Sequence, residues 1–249
     1  MVDLLLRRWT WSEGHIDHVC REVSAFLATH PVVIEHADVA QGNRTFVARV
    51  VRSVPDRIPL LIGDALQALR SPLDNLAWAL ASSHVLTPSN NVRFPVAETQ
   101  HAWASFAGTV ANDFAPVHLA ALEQVQPYGL QDPQTSPLWQ LHRLAIQDRH
   151  RTLVLGFHAA TVATFTAWGP AGNKPNPNLV LGMVTDGQQV GDWPMAGDWQ
   201  ELGFPPISFE FDLAFDLLGA AGGRPICSTL LGLSNAVRTI LDEFAQFFP

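Results

Sequence analysis

The chain is short of charge. Only 15% of its 249 residues are Asp, Glu, Lys or Arg, against about 25% in a typical soluble domain. Lysine is nearly missing. Of 15 basic residues, Lys174 is the one lysine and the rest are Arg. A Schiff base or a phosphate-gripping lysine would therefore have to be Lys174, in the loop-like run Gly172-Asn173-Lys174-Pro175-Asn176-Pro177. An excess of Arg over Lys, with many Ala, is also what a GC-rich bacterial coding sequence yields. The net charge of −8 argues against a broadly basic nucleic-acid face, because counterion release needs clustered Lys and Arg. It leaves room for a local basic patch.

Cysteine is scarce too. Cys20 and Cys227 form no C-x-x-C pair, nothing suggests a disulfide scaffold, and both read as small core residues. The start, Met1 to Trp11, has a three-Leu run followed by Arg7 and Arg8, too short and wrongly ordered for a secretory signal. No uninterrupted apolar run is long enough to span a bilayer. The expectation is a soluble cytoplasmic protein with no membrane partner. Phosphate-loop, dinucleotide, zinc-protease and nucleophile-elbow motifs are missing. Gly232-Leu233-Ser234-Asn235-Ala236 approaches the last of these, but it falls inside an expected helix and lacks the strand–turn–helix setting. No cofactor and no metal are expected.

What is present is a helical pattern followed by a strand-rich one. Ser12 can cap a helix to about Thr29, with Ile16, Val19, Val23, Phe26 and Leu27 on one side. Val32 to Ile34 and Thr45 to Val51 read as a hairpin around Gln41-Gly42-Asn43. Ile62, Leu66, Leu69, Leu73, Leu76 and Leu80 alternate steps of four and three, the clearest helix in the chain, over 58 to 82. Pro72 removes one of its backbone donors, so a kink near Ala68 is expected. Short helices follow at 99 to 107 and 116 to 125, then one from Ser136-Pro137 to about Arg151. Leu153 to Trp168, Leu179 to Thr185 and Ile207 to Phe215 read as strands, and Thr229 to Phe248 as a last amphipathic helix. Helices in one run and strands in another predict an α+β fold, four main helices packed with an antiparallel sheet. A single domain over 1–249 is expected: helix-rich 1–151, strand-rich 152–216 and the C-terminal helix 229–248.

The charge that exists is concentrated. Leu141-His142-Arg143-Leu144-Ala145-Ile146-Gln147-Asp148-Arg149-His150-Arg151 holds three Arg, two His and one Asp. On a helical wheel His142 and Arg149 fall with Leu138, Leu141 and Ala145, on the inward face, while Arg143, Gln147, His150 and Arg151 fall opposite. A buried Arg is costly unless paired. The 58 to 82 helix offers partners: Asp64 or Asp74 for Arg149, and Asp148 for Arg70, with Gln67, Ser71, Asn75 and Trp78 on the same side. One reading is a polar cleft with His142 or His150 as proton carrier. The other is an ion-pair network that fixes helix register, which is the commoner use of such clusters.

Ile62-Gly63-Asp64 through Trp78 is similar to the pattern G-D-x-L-x-x-L-R-S-x-L-D-H-L of an uncharacterised family of bacterial and phage proteins. In that family a P-L-W-x-L-H segment and a D-K-H-R motif follow. Here those positions read Pro137-Leu138-Trp139-Gln140-Leu141-His142 and Asp148-Arg149-His150-Arg151, with Phe94-Pro95 and Gln126-Pro127-Tyr128 also matching. The chain departs at Asn75, where the pattern has His, and at Arg149, where it has Lys. A second resemblance is to HEPN-type ribonucleases, helical domains whose R-x(4–6)-H pair acts on RNA without a metal, often in dimers. Arg143 to His150 meets that spacing, although Leu144 follows the Arg where a polar residue is usual. Arg70 to Asn75 would be the four-residue version but lacks the His.

His15, His18 and Glu22 share a helix edge, which a metal could use but which reads more simply as a solvated His18–Glu22 pair. Gly191-Asp192-Trp193 recurs as Gly197-Asp198-Trp199 and reads as a turn with Trp covering a sheet. Two functions follow. In one, the protein is a non-catalytic binding or self-associating domain, with a second copy of itself in a homodimer as the expected partner, and Asp64, Arg70, Asp74, Asn75, His142, Asp148, Arg149 and Arg151 in a structural network. It predicts Arg149 and His142 buried and satisfied by acidic partners. In the other, it is a metal-independent ribonuclease with Arg143 and His150 catalytic, exposed in a basic groove at a dimer interface, and Arg70 or Arg151 on phosphate. Only that reading has nucleic acid as a partner.

Overall fold

The computed structural model describes residues 1–39, 43–151, 153–163, 178–179, 182–194, 208–216 and 219–248. Six α-helices stand among the described residues: α1 (Val2–Leu27), α2 (Arg57–Ser82), α3 (Gln100–Thr109), α4 (Pro116–Gln124), α5 (Pro137–His150) and α6 (Ile226–Phe244). Seven strands join them: β1 (Val32–Val39), β2 (Asn43–Val50), β3 (Leu155–Ala163), β4 (Asn178–Leu179), β5 (Gly182–Val184), β6 (Gln189–Pro194) and β7 (Ser208–Phe215). The fold is α+β, as the pattern predicts. No helix among the described residues is long and apolar enough to cross a membrane.

The periodic face of α2 is the centre of the core. Ile62, Leu66, Leu69, Leu73, Leu76 and Leu80 are all fully buried, and burying each such side chain stabilises the fold by about 1.5–3 kcal/mol. The helix runs unbroken from Arg57 to Ser82 through Pro72. Beside it, α1 lies antiparallel, since Glu22 pairs with Arg57 at 2.7 Å while Arg8 donates to Ser71 Oγ at 3.3 Å. The first helix starts ten residues before the expected cap. Ser12 lies inside it and its hydroxyl donates to the Trp9 carbonyl at 2.6 Å. Residues of α1, α2, α5, α6 and both sheets contribute to one hydrophobic core.

The strands form two antiparallel sheets where one was expected, ordered β1-β2-β6-β4 and β5-β3-β7. The expected hairpin is β1–β2, with Val32 opposite Val50, and its Gln41-Gly42 turn lies outside the described residues. Gly191-Asp192-Trp193 is no turn. It lies in β6, an interior strand paired with β2. The turn is upstream, at Asp186-Gly187, where Gly187 takes a φ of +77° that L side chains seldom adopt, and the chain passes there from one sheet to the other. Lys174 and Gly197-Asp198-Trp199 lie outside the described residues.

The cysteines correct a second expectation. Cys20 of α1 and Cys227 of α6 are joined in a disulfide with a Cα–Cα distance of 5.6 Å, across 207 residues of sequence. The packing of α1 on α6 brings them together. Trp9 Nε1 donates to the Ser234 carbonyl and hydroxyl at 3.1 and 2.9 Å along the same interface.

Candidate functional site

Helix α5 lies against α2, and its inward face sets the geometry. Leu138, Leu141, Leu144 and Ala145 are buried. The line through Leu141, Leu144 and Ala145 continues to Asp148, with Arg149 about 100° further round. Asp148 therefore faces α2, and Arg149 lies on the flank, exposed. This corrects the expectation of a buried Arg149. Neither Asp64 nor Asp74 is its partner; Arg149 Nη2 donates to Gln67 Oε1 at 3.2 Å. Gln67 in turn donates through Nε2 to the Ala145 carbonyl at 3.0 Å, so this amide is the bridge between the helices. Asp148 sits over Gly63, where an added Cβ would overlap its carboxylate. Burial raises the Asp148 pKa and the neighbouring Asp64 adds to it; a Gln67 hydrogen bond and Arg149 oppose the rise. Asp64 itself is exposed.

The buried cation is Arg70, not Arg149. Arg70 is only 6% exposed and does not reach Asp148. It pairs with Asp74, one turn along α2, at 3.3 Å. Together they bracket one peptide unit: Asp74 Oδ1 accepts from the Phe94 N–H at 3.0 Å, and Arg70 Nη2 donates to the Phe94 carbonyl. Phe94 is pinned in turn, its ring buried in the core. Gln126 clamps the other end of the segment. Its buried amide accepts from the Ala97 N–H at 2.9 Å and donates to the Pro95 carbonyl at 3.3 Å, and the Tyr128 N–H donates to the Ala97 carbonyl at 3.1 Å. Phe94-Pro95, Gln126-Pro127-Tyr128 and the Arg70–Asp74 pair, far apart in sequence, thus meet at one place.

That place is a pocket of about 490 Å³ lined by Arg70, Asp74, Arg93, the 94–97 segment, Phe106, His142 and Arg149 among others. His142 is half-buried, and its pKa is lowered to about 4, first by burial and then by Arg70, with Arg143 and Arg149 adding to the fall and Glu98 opposing it. It is a neutral imidazole at physiological pH. Burial also lowers the Arg70 pKa, against the pull of Asp74, and Arg149 and Arg93 lower it further by repulsion. Asn75 is not part of the pocket lining. It donates to the Ser71 carbonyl at 2.7 Å, and Ser71 is the residue that meets Arg8 of α1.

The other flank of α5 carries a second groove, of about 750 Å³, lined by Trp139, Arg143, His150, Arg151 and Asp216 among others. Arg143 and His150 are both exposed there, and the Arg143 guanidinium lies 5.8 Å from the centre of the Trp139 ring. The mixed lining, two Arg with one Asp, is less basic than a nuclease groove was expected to be. On α1, His18 lies 3.9 Å from Glu22, which already pairs with Arg57, and His15 meets the Trp11 ring edge-on. No family model, curated protein or solved structure matches this chain.

Proposed function

We propose that this protein works by binding and not by catalysis, with the Arg70–Asp74 pair serving as a scaffold for a binding pocket. A buried Arg149 satisfied by an acid, which the sequence led one to expect of this reading, is not found, since Arg149 is exposed and held by Gln67; the observation that carries the reading is instead the bracket on Phe94. The ion pair of the cluster, Arg70–Asp74, holds backbone, as a structural clamp does. Within this pocket the candidate proton carrier, His142, is held near a pKa of about 4, far from the neutral value that suits a general acid or base at physiological pH. Incubation with single-stranded RNA tests the reading. The expected result is no cleavage. Cleavage by the wild type that His150→Ala abolishes would overturn it.

That outcome would support the second reading, a metal-independent ribonuclease. One observation favours it: Arg143 and His150, two turns apart on α5, open onto the same groove with Arg151. In this reading Arg151 and Arg143 hold the phosphate, while His150, for which the groove gives access to solvent, moves the proton.

A further inference from the structure

We infer that the pocket between α2, α5 and the 94–97 segment binds a small molecule through a phosphoryl or carboxyl group. The inference rests on the reading of the chain as a binding protein and names the ligand class of its pocket. Three guanidinium groups, Arg70, Arg93 and Arg149, line this space against one carboxylate, Asp74. Asp74 Oδ1 is already held by Arg70 Nη2 and the Phe94 N–H. The cations are drawn from three separate pieces of chain, so no helix-surface pattern puts them together. They gather in a protein with few charges, where mutual repulsion already acts on Arg70. An oxyanion placed between them removes that repulsion.

Arg70 gives the second, independent observation. Its side chain is more than nine-tenths buried, and its Nη1 has no hydrogen-bond partner. Buried polar groups are nearly always satisfied, and an unsatisfied one calls for an explanation such as a bound water or ion. Nη2 is accounted for by Asp74 and the Phe94 carbonyl; Nη1 is the half of the fork left over. Arginine presents paired N–H groups in a plane that fits two oxygens of a phosphate or carboxylate. Arg149 uses one nitrogen on Gln67 and keeps others, and Arg93 is exposed at the rim. Neutral His142 completes the polar side with a donor and an acceptor.

The rest of the lining sets the kind of ligand. Phe106, Ala145 and Ile146 give an apolar wall beside the cations. The volume is in the range of small-molecule sites. The 94–97 backbone is fixed at both ends before any ligand arrives, which lowers the ordering cost of binding. An anionic head with a compact apolar body fits this division, and phenyl phosphate is a suitable probe.

The experiment is calorimetric titration of the intact protein with phenyl phosphate, benzoate and phenol, beside Arg93→Gln/Arg149→Gln. Both substituted side chains are exposed, so the variant keeps its fold, and circular dichroism checks that it does. The expected result is saturable binding of phenyl phosphate or benzoate, weakened about tenfold or more in the double variant, with none for phenol. Loss of binding should coincide with loss of a ligand-induced shift of the His142 ring protons in NMR. No saturable binding of either anion overturns the inference. So does equal binding by the double variant, or binding of phenol as tight as that of the anions. RNA cleavage is a separate measurement. A protein that neither binds these anions nor cleaves RNA overturns the pocket assignment alone. One that cleaves RNA through His150 yet still binds phenyl phosphate through Arg93 and Arg149 overturns the non-catalytic reading alone.

Discussion

His142 should make the protein lose stability between neutral and acidic pH, and the size of the loss follows from its setting. Its pKa in the fold is about 4, against about 6.5 in an unfolded chain. Above the higher value both states are neutral and the folded state keeps its full advantage. Between the two values the unfolded chain takes a proton that the fold refuses, so stability falls as pH falls. A gap of about 2.5 units at about 1.36 kcal/mol each sets a ceiling near 3.4 kcal/mol. Half-exposure and solvent screening reduce this to about 1–2 kcal/mol. The assay is urea unfolding of wild type and His142→Gln at about pH 7 and about pH 4.5, in buffer free of phosphate and carboxylate. His118, whose pKa is also lowered by burial and by His84, and the carboxylates titrate in both proteins and cancel. The wild type should lose about 1–2 kcal/mol more than the variant on acidification. Equal losses, or an NMR titration that places His142 at or above its ordinary value, would refute the reasoning.

Two further outcomes concern the frame around the site. Cys20→Ser/Cys227→Ser removes a link that spans 207 residues; it should cost about 2–5 kcal/mol and lower the Tm by roughly 5–15 °C, and two blockable thiols in the native wild type would show the reasoning to be wrong. Gly63→Ala should stabilise an Asp148→Ala background by about 1 kcal/mol through helix propensity. In the wild type that gain should vanish, because the new Cβ meets the Asp148 carboxylate; additive effects of the two substitutions in urea unfolding would show that the contact is unimportant.

The helices were legible because their signal is local. The four–three spacing of Ile62 to Leu80 marks α2 directly, and each of those residues is buried. The interior strand β6 was not legible, since Gly191, Asp192 and Pro194 interrupt any alternation and the pairing to β2 comes from a strand far back in the chain. The Asp186-Gly187 dipeptide was the available hint of a turn there. For the disulfide no local signal exists: its partners are 207 residues apart and only helix packing joins them. In the site, the inward face of α5 was read one residue out of phase, which turned Arg149 inward in place of Asp148. The Arg70–Asp74 pair was readable from its i, i+4 spacing. Their shared target, the Phe94 peptide, lies on another segment and required the fold, as did the buried amide of Gln126.

A cystine between α1 and α6 opposes the expectation of a cytoplasmic protein, because thiols stay reduced in most cytosols. It also bears on Arg70. With the outer helices tied covalently and the Ile62–Leu80 face of α2 buried in an aliphatic core, the fold has little need of a buried ion pair for stability. Well-packed apolar residues in place of such a pair are often as stable or more so. Clamping Phe94 accounts for Nη2 of Arg70 and for Oδ1 of Asp74. It does not account for Nη1, which has no hydrogen-bond partner. Three guanidinium groups facing one carboxylate across a pocket are what an anion site requires. It also gives physical content to a composition in which nearly every cation is an arginine.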